Sequence, residues 1–225
     1  MTTAHSTRMR AGALVLGAAA FLLATFPLLR PFFALNVFEP EASIALASPV
    51  FASMAWLVSH LLAMLGFVLL QVGALALYAF HAGSVGERLA FRGLVWSVPG
   101  VALILPAFGV EAYTMPIVGQ LFLAGATGLA PLIALTYRGP MTIVLLLGQV
   151  CLAVGVFSFA VAIRRDGRLP AWAGLLFAIG LALWLPMLPK PVRIIDGLLI
   201  GIGGIPLAWT IWRTAGEVDE TDAGA

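Results

Sequence analysis

Charge is what this sequence has least of. Only 10% of its 225 residues are charged, against about 25% in an average soluble domain. Lysine occurs once, at Lys190, and histidine three times, at His5, His60 and His81. So thin a polar surface excludes a disordered chain, a nucleic-acid-binding domain and an ordinary water-soluble enzyme. Cysteine is nearly absent too. Cys151 stands alone, which rules out an intrachain disulfide and a cysteine-based metal cage. No metal-ligand spacing and no glycine-rich nucleotide loop is present, so no cofactor is expected. Strict alternation of apolar and polar residues is missing as well, which removes the transmembrane β-barrel. No internal repeat is detectable, and this weighs against an inverted-repeat transporter.

What is there is apolar: 62% of the chain, in unbroken runs of about 20 residues. Only helices and closed barrels satisfy their backbones inside lipid, so an all-α polytopic transmembrane bundle is expected. Six runs qualify as spans, at 11–33, 51–80, 91–112, 141–163, 170–188 and 194–212. The first follows Arg10 like the core of a signal peptide, yet it continues to about Leu29, which suits a first span better. A further stretch, 113–137, is broken by Pro116, Pro131 and several glycines and threonines. It reads as an outer-face segment, as a re-entrant or interfacial helix pair, or as a seventh span. Residues 1–10 and the acidic 214–225 are expected to be cytoplasmic tails, the second of them disordered, around one membrane domain, 11–213. Glu39-Pro40-Glu41 reads as a solvated outer loop.

Charge asymmetry favours six spans with both termini in the cytoplasm, in a cell inner membrane. The inner ends then hold Arg8, Arg10, Arg88, Arg92, Arg164, Arg165, Arg168 and Arg213, and the outer ends Arg30, Arg138, Lys190 and Arg193. A seventh span would carry the Arg164–Arg168 cluster outside.

Ionisable groups within spans are costly and are functional candidates by default. The short list is His60 and Glu111, with Asp196 near an outer helix end. Ser53, His60, Gln71 and Tyr78 are separated by 7, 11 and 7 residues, which keeps them on one face of the second span. Met64 fills the same stripe. The stripe either lines a cavity or makes interhelical hydrogen bonds. His60, Glu111 and Gln149 fall at similar depths in the outer half, where Tyr113 and Gln120 of the outer segment would cover them. Together they form an acid–base set able to bind a hydrophobic small molecule. Alternatively, Glu111 sits at headgroup level and pairs with Arg138 or Arg30. Asp196 either pairs locally with Arg193, three residues earlier, or joins this outer set beside Lys190 and Arg193 as an anionic-headgroup clamp. His60 and His81 lie on opposite membrane sides, which argues against a bis-histidine haem. Gly197, Gly201 and Gly204 make a small-residue face that packs within the chain or in a homo-oligomer or partner contact.

The run Ile163-Arg164-Arg165-Asp166-Gly167-Arg168-Leu169-Pro170-Ala171-Trp172-Ala173-Gly174 resembles an inner loop of small bacterial integral-membrane proteins of no established activity. The phrase Gly109-Val110-Glu111-Ala112-Tyr113 is similar to one in the same proteins. The resemblance implies the same multi-pass topology and draws attention to Glu111.

Three functions compete. One is a lipid-binding site, extended to a cofactor-independent cyclase or isomerase acting on a prenyl-type substrate with Glu111 as acid and His60 as partner. Small membrane terpene cyclases are a fold-level analogy for it. The second is a non-catalytic accessory subunit. The third is a small transporter.

Overall fold

The computed structural model describes residues 3–32, 40–185 and 188–223. They form an all-helical bundle, with no strand among them. Five helical stretches are long and apolar enough to cross a membrane: Ser6–Leu29, Met54–His81, Glu87–Leu123, Ala130–Asp166 and Lys190–Gly216. The protein is therefore a multi-pass helical membrane protein by length and composition.

Helix α1 (Thr3–Leu29) starts well before the expected span and packs antiparallel to α3 (Met54–His81). Between them lies α2 (Pro40–Phe51), which proline opens at a position where its missing N–H costs nothing. The expected span 51–80 is thus two helices. Its first residues belong to α2, and Ser53 caps α3 by accepting from the Trp56 N–H at 3.2 Å. Glu39 lies outside the described residues.

Helix α4 (Glu87–Gly109) carries Pro99 and Pro106, each of which removes one helical hydrogen bond. The strand of backbone then widens into a π turn, Val110–Thr114, where the Met115 N–H reaches back five residues to the Val110 carbonyl. The chain continues as α5 (Met115–Leu123). It turns back through Gly125 and Gly128, both with positive φ, into α6 (Ala130–Arg138) and α7 (Pro140–Asp166). The segment 113–137 is thus a helical pair that prolongs two spans. At 37 residues each, Glu87–Leu123 and Ala130–Asp166 are about 55 Å long, well beyond a hydrocarbon core of about 30 Å.

Helix α7 stops at Gly167, whose left-handed backbone lets its N–H cap the Ile163 carbonyl. Helix α8 (Ala171–Ala182) has only 12 residues, about 18 Å, and cannot cross alone. It is an apolar helix shorter than a span, and the next described helix is α9 (Lys190–Ala223). Gln149 of α7 repairs that early ending. Its Nε2 donates to the carbonyls of Leu181 and Ala182 at 2.7 and 2.8 Å. The acidic tail corrects the sequence expectation, since α9 stays helical to Ala223. No proline interrupts it there, and Gly216 packs against Arg10.

The beginning of α1 and the end of α9 lie at one end of the bundle, where the Arg10 guanidinium is 5.6 Å from the Trp212 ring. Two cores result. The main one joins α1, α3, α4, α7, α8 and α9. A smaller one, built on Ile44, Phe51, Trp56, Met115, Ile133 and Tyr137, holds α2, α5 and α6 as a cap.

The helices approach closely at glycines. Gly93, Gly100, Gly148 and Gly155 seat α4 on α7, and Gly197, Gly201 and Gly204 seat α9 on α1. The α9 glycine face is therefore covered within the chain rather than open to a partner. A β-carbon added at Gly100 would stand 2.6 Å from the Leu152 backbone nitrogen, whereas one at Gly109 meets nothing within 4 Å. Gly100→Val should destabilise by about 1–3 kcal/mol as an overpacked contact, and Gly109→Ala should not. Thermal unfolding of both variants in one detergent checks this ordering.

Candidate functional site

The ionisable residues singled out in the spans meet where the two cores join. His60 is fully buried on α3, two helical turns below the Ser53 cap. Glu111 is 4% exposed on the π turn. Their contact is short, with His60 Nε2 2.5 Å from Glu111 Oε2. The other imidazole nitrogen settles the tautomer. His60 Nδ1 lies 2.7 Å from the Trp56 carbonyl, which can only accept, so Nδ1 carries a hydrogen. Nε2 is then the acceptor of the neutral ring, and a single proton is shared between it and the carboxyl group.

Three further groups fix Glu111. The Tyr137 hydroxyl donates to Oε1 at 3.1 Å. Arg30, past the end of α1, brings Nη2 to 3.7 Å from Oε2 and Nε to 3.4 Å from His60 Nε2. The Trp56 indole N–H donates to the Glu111 backbone carbonyl at 2.7 Å. The π turn puts carbonyl and side chain where one helix can hold both. Arg30 is itself 8% exposed and stacks 4.4 Å over the Trp56 ring.

Electrostatically, the set is built around the proton between His60 and Glu111. With the proton present the imidazole–carboxyl pair is neutral overall, and Arg30 leaves the group at +1. With the proton gone, Arg30 offsets the remaining carboxylate and the group is neutral. Arg30 thus balances the deprotonated pair, whereas the protonated pair leaves one buried guanidinium uncompensated.

Around the proton lies an aromatic shell. Trp56, Phe26 and Phe108 stand 4.3, 5.4 and 5.7 Å from the His60 ring. Trp184 packs on Phe26, Phe67 and Phe108. Arg193, fully buried at the start of α9, lies 5.0 Å from the Phe26 ring centre and 5.6 Å from that of Trp184. These rings already present their faces to cations.

The remaining sequence candidates scatter. Asp196 is fully buried near Arg193, with neither carboxylate oxygen hydrogen-bonded among the described residues. Gln149 is committed to α8. Tyr113 and Gln120 point outward and do not cover the pair. Met64 packs into the main core. The polar stripe of α3 divides among separate partners: Ser53 caps, His60 meets Glu111, Gln71 Oε1 lies 3.5 Å from the Ser97 hydroxyl, and Tyr78 packs on Phe91. Among the described residues no group of three or more His, Cys, Asp or Glu converges as a metal site.

No family model matches this chain, and no curated protein or solved structure matches it. The site therefore rests on its own geometry.

Sequence reasoning passed over Tyr137, and it passed over a second constellation at the opposite end of α3. His81 Nδ1 lies 2.5 Å from Asp166 Oδ2, and Arg168 grips the same carboxylate through Nε and Nη2 at 2.7–2.9 Å. Arg168 Nη2 also donates to the Phe80 carbonyl at 2.7 Å. The signal available was the shared end that charge asymmetry assigns to His81 and the Arg164–Arg168 cluster.

Removing one partner of a buried charged set costs about 3–5 kcal/mol, while losing one hydrogen bond to a carbonyl costs about 1–3 kcal/mol. Glu111→Ala should accordingly destabilise more than Trp56→Phe, with Tyr137→Phe mildest. Denaturation midpoints of the purified variants, compared in the same detergent, test that order.

Proposed function

We propose that the His60–Glu111 pair is a proton-transfer centre for a lipid-like small molecule taken up in the half of the bundle that holds the cap. The single observation behind this is the 2.5 Å contact between His60 Nε2 and Glu111 Oε2, with Nδ1 fixed on the Trp56 carbonyl. A buried pair that shares one proton, beside an arginine that balances its loss, suits general acid–base work.

The reaction class this supports is isomerisation or cyclisation of a prenyl-type substrate without a cofactor. The pair gives its proton to one carbon of an alkene, the π electrons form the new C–H bond, and the neighbouring carbon becomes cationic. Loss of a proton from an adjacent carbon re-forms a double bond and recharges the pair, so nothing is oxidised or reduced. Glu111 and His60 act as the acid and then the base. Faces of Phe26, Trp56 and Trp184 would stabilise the cation once Arg30 and Arg193, which cover them in the resting protein, move aside.

A structural role for the same contacts is the second reading, because the network ties the end of α1, α3, the π turn and α6 together. Glu111→Gln separates the two. It keeps the shape and most hydrogen bonds but cannot exchange a proton in the same way. The proposal expects Glu111→Gln and His60→Gln to lose at least about 100-fold of the turnover of a prenyl-type substrate when assayed well below the unfolding temperature of each variant. Full turnover in both, or no turnover in the parent chain across prenyl alcohols and diphosphates, would sink it. Co-purification of a protein partner in place of a lipid would favour the accessory role, and proton-coupled solute uptake into vesicles the small transporter.

We also place both termini in the cytoplasm of an inner-membrane protein. Eight of the 12 basic residues fall at the His81 end and four at the His60 end. In a Cys151→Ser background, a cysteine at Ser84 should react with a membrane-impermeant maleimide only after the cells are opened. One at Thr127 should react in intact cells.

A further inference from the structure

The face of the bundle where α4 meets α7 carries a groove that the proposed chemistry does not use. It encloses about 460 Å³ and is lined by Val150, Val154, Phe157 and Val161 of α7 and by Leu89 and Arg92 of α4. Val150, Val154, Phe157 and Val161 recur at spacings of 4, 3 and 4, so they form one continuous stripe about 16 Å long. Val150, Phe157 and Val161 are 40–61% exposed, so the stripe faces what surrounds the bundle. Its lining is apolar apart from Ser158 and Arg92, and Arg92 lies toward the Val161 end, where Gly93 meets Phe159.

Arg92 is not alone there. Arg88 lies one helical turn nearer the end of the bundle on α4, and Arg164 and Arg165 lie one turn beyond Val161 on α7. All four are exposed. Backbone contacts hold α4 and α7 at this level, with Gly86 against the Ala162 carbonyl and Gly93 against Phe159. The nearby carboxylates are already engaged. Glu87 accepts from the Gly83 N–H, and Asp166 is held by His81 and Arg168. The result is an apolar groove with four exposed arginines toward one end.

We infer that this groove is a site for an anionic phospholipid, with one acyl chain along Val150–Val161 and its phosphate between Arg92, Arg88 and the Arg164–Arg165 pair. Apolar grooves accept any acyl chain, so the tail supplies affinity without choice. The arginines supply the choice. A headgroup with net negative charge gains from each guanidinium, whereas a zwitterionic one carries its own cation and gains little. The site would draw its lipid from the leaflet on the His81 side, and it stands apart from the His60–Glu111 pair.

Native mass spectrometry of the full chain, exchanged with phosphatidylglycerol or phosphatidylcholine of identical chains, tests this. The parent protein should retain phosphatidylglycerol preferentially. Arg92→Gln should weaken that preference roughly five-fold, and Arg88→Gln with Arg92→Gln roughly 25-fold, the size of a basic residue's attraction at an anionic surface. Arg8→Gln, an exposed arginine at the same end on α1, serves as the control and should change it little. Ala153→Phe, which fills the groove, should reduce retention of both lipids together. Equal retention of the two lipids by the parent, or an equal loss in the Arg8 and Arg92 variants, would overturn the site. Because all three arginines are exposed, folding of these variants is checked by unchanged unfolding temperatures.

Discussion

A carboxylate buried in a bundle of leucines, valines and phenylalanines needs a proton or a cation, and Glu111 has access to both. His60 shares the proton, Arg30 brings the cation, and Tyr137 and Trp56 hold the side chain and its backbone in place. Arg30 comes from the exit of α1, Trp56 and His60 from α3, and Tyr137 from α6. Satisfying one side chain therefore fixes the exit of α1, the upper turns of α3, the π turn and the seating of α6. The cap of α2, α5 and α6 is attached to the main bundle through these groups as well as through its own apolar core. The aromatic shell excludes water, and that strengthens every charge interaction inside it.

The same solution recurs at the other end of α3, where His81, Asp166 and Arg168 repeat the imidazole, carboxylate and guanidinium set. There it pins the short connection between α7 and α8. Backbone obeys the parallel rule. Where α8 ends within the bundle, its last carbonyls would be unsatisfied in hydrocarbon, and Gln149 supplies the donors. Polar side chains in this protein thus serve two ends: they neutralise one another, or they mend interruptions in helical backbone.

Class, the rough number of spans and the interest in His60 and Glu111 were legible because lipid permits so few polar residues that each exception stands out. The pairing was legible in depth, and Arg30 was one of two arginines open to Glu111. What could not be read was that Arg30 and the imidazole would reach the carboxylate together. Tyr137 was hidden in a segment broken by proline and glycine, whose helical course depends on packing against α2. The π turn has no sequence signature beyond the prolines before it. Gln149 carried a polar signal, but its task depends on α8 stopping at Ala182, and nothing in the apolar run 171–185 marks that stop. Asp166 and Arg168 were read as loop charges, although the loop folds back on His81.

The spacing of the two constellations has a consequence of its own. His60 and His81 are 21 residues apart on one straight element, roughly 31 Å, and this matches the depth of an ordinary hydrocarbon layer. The His60 set is walled off by its aromatic shell and by the cap, so it lies at the depth of a boundary without needing water there. The His81 set is held by an exposed Arg168 and does need water within reach. A thicker bilayer would therefore press first on the His81 end, where Arg168 and the exposed Arg164 and Arg165 would be drawn toward oil.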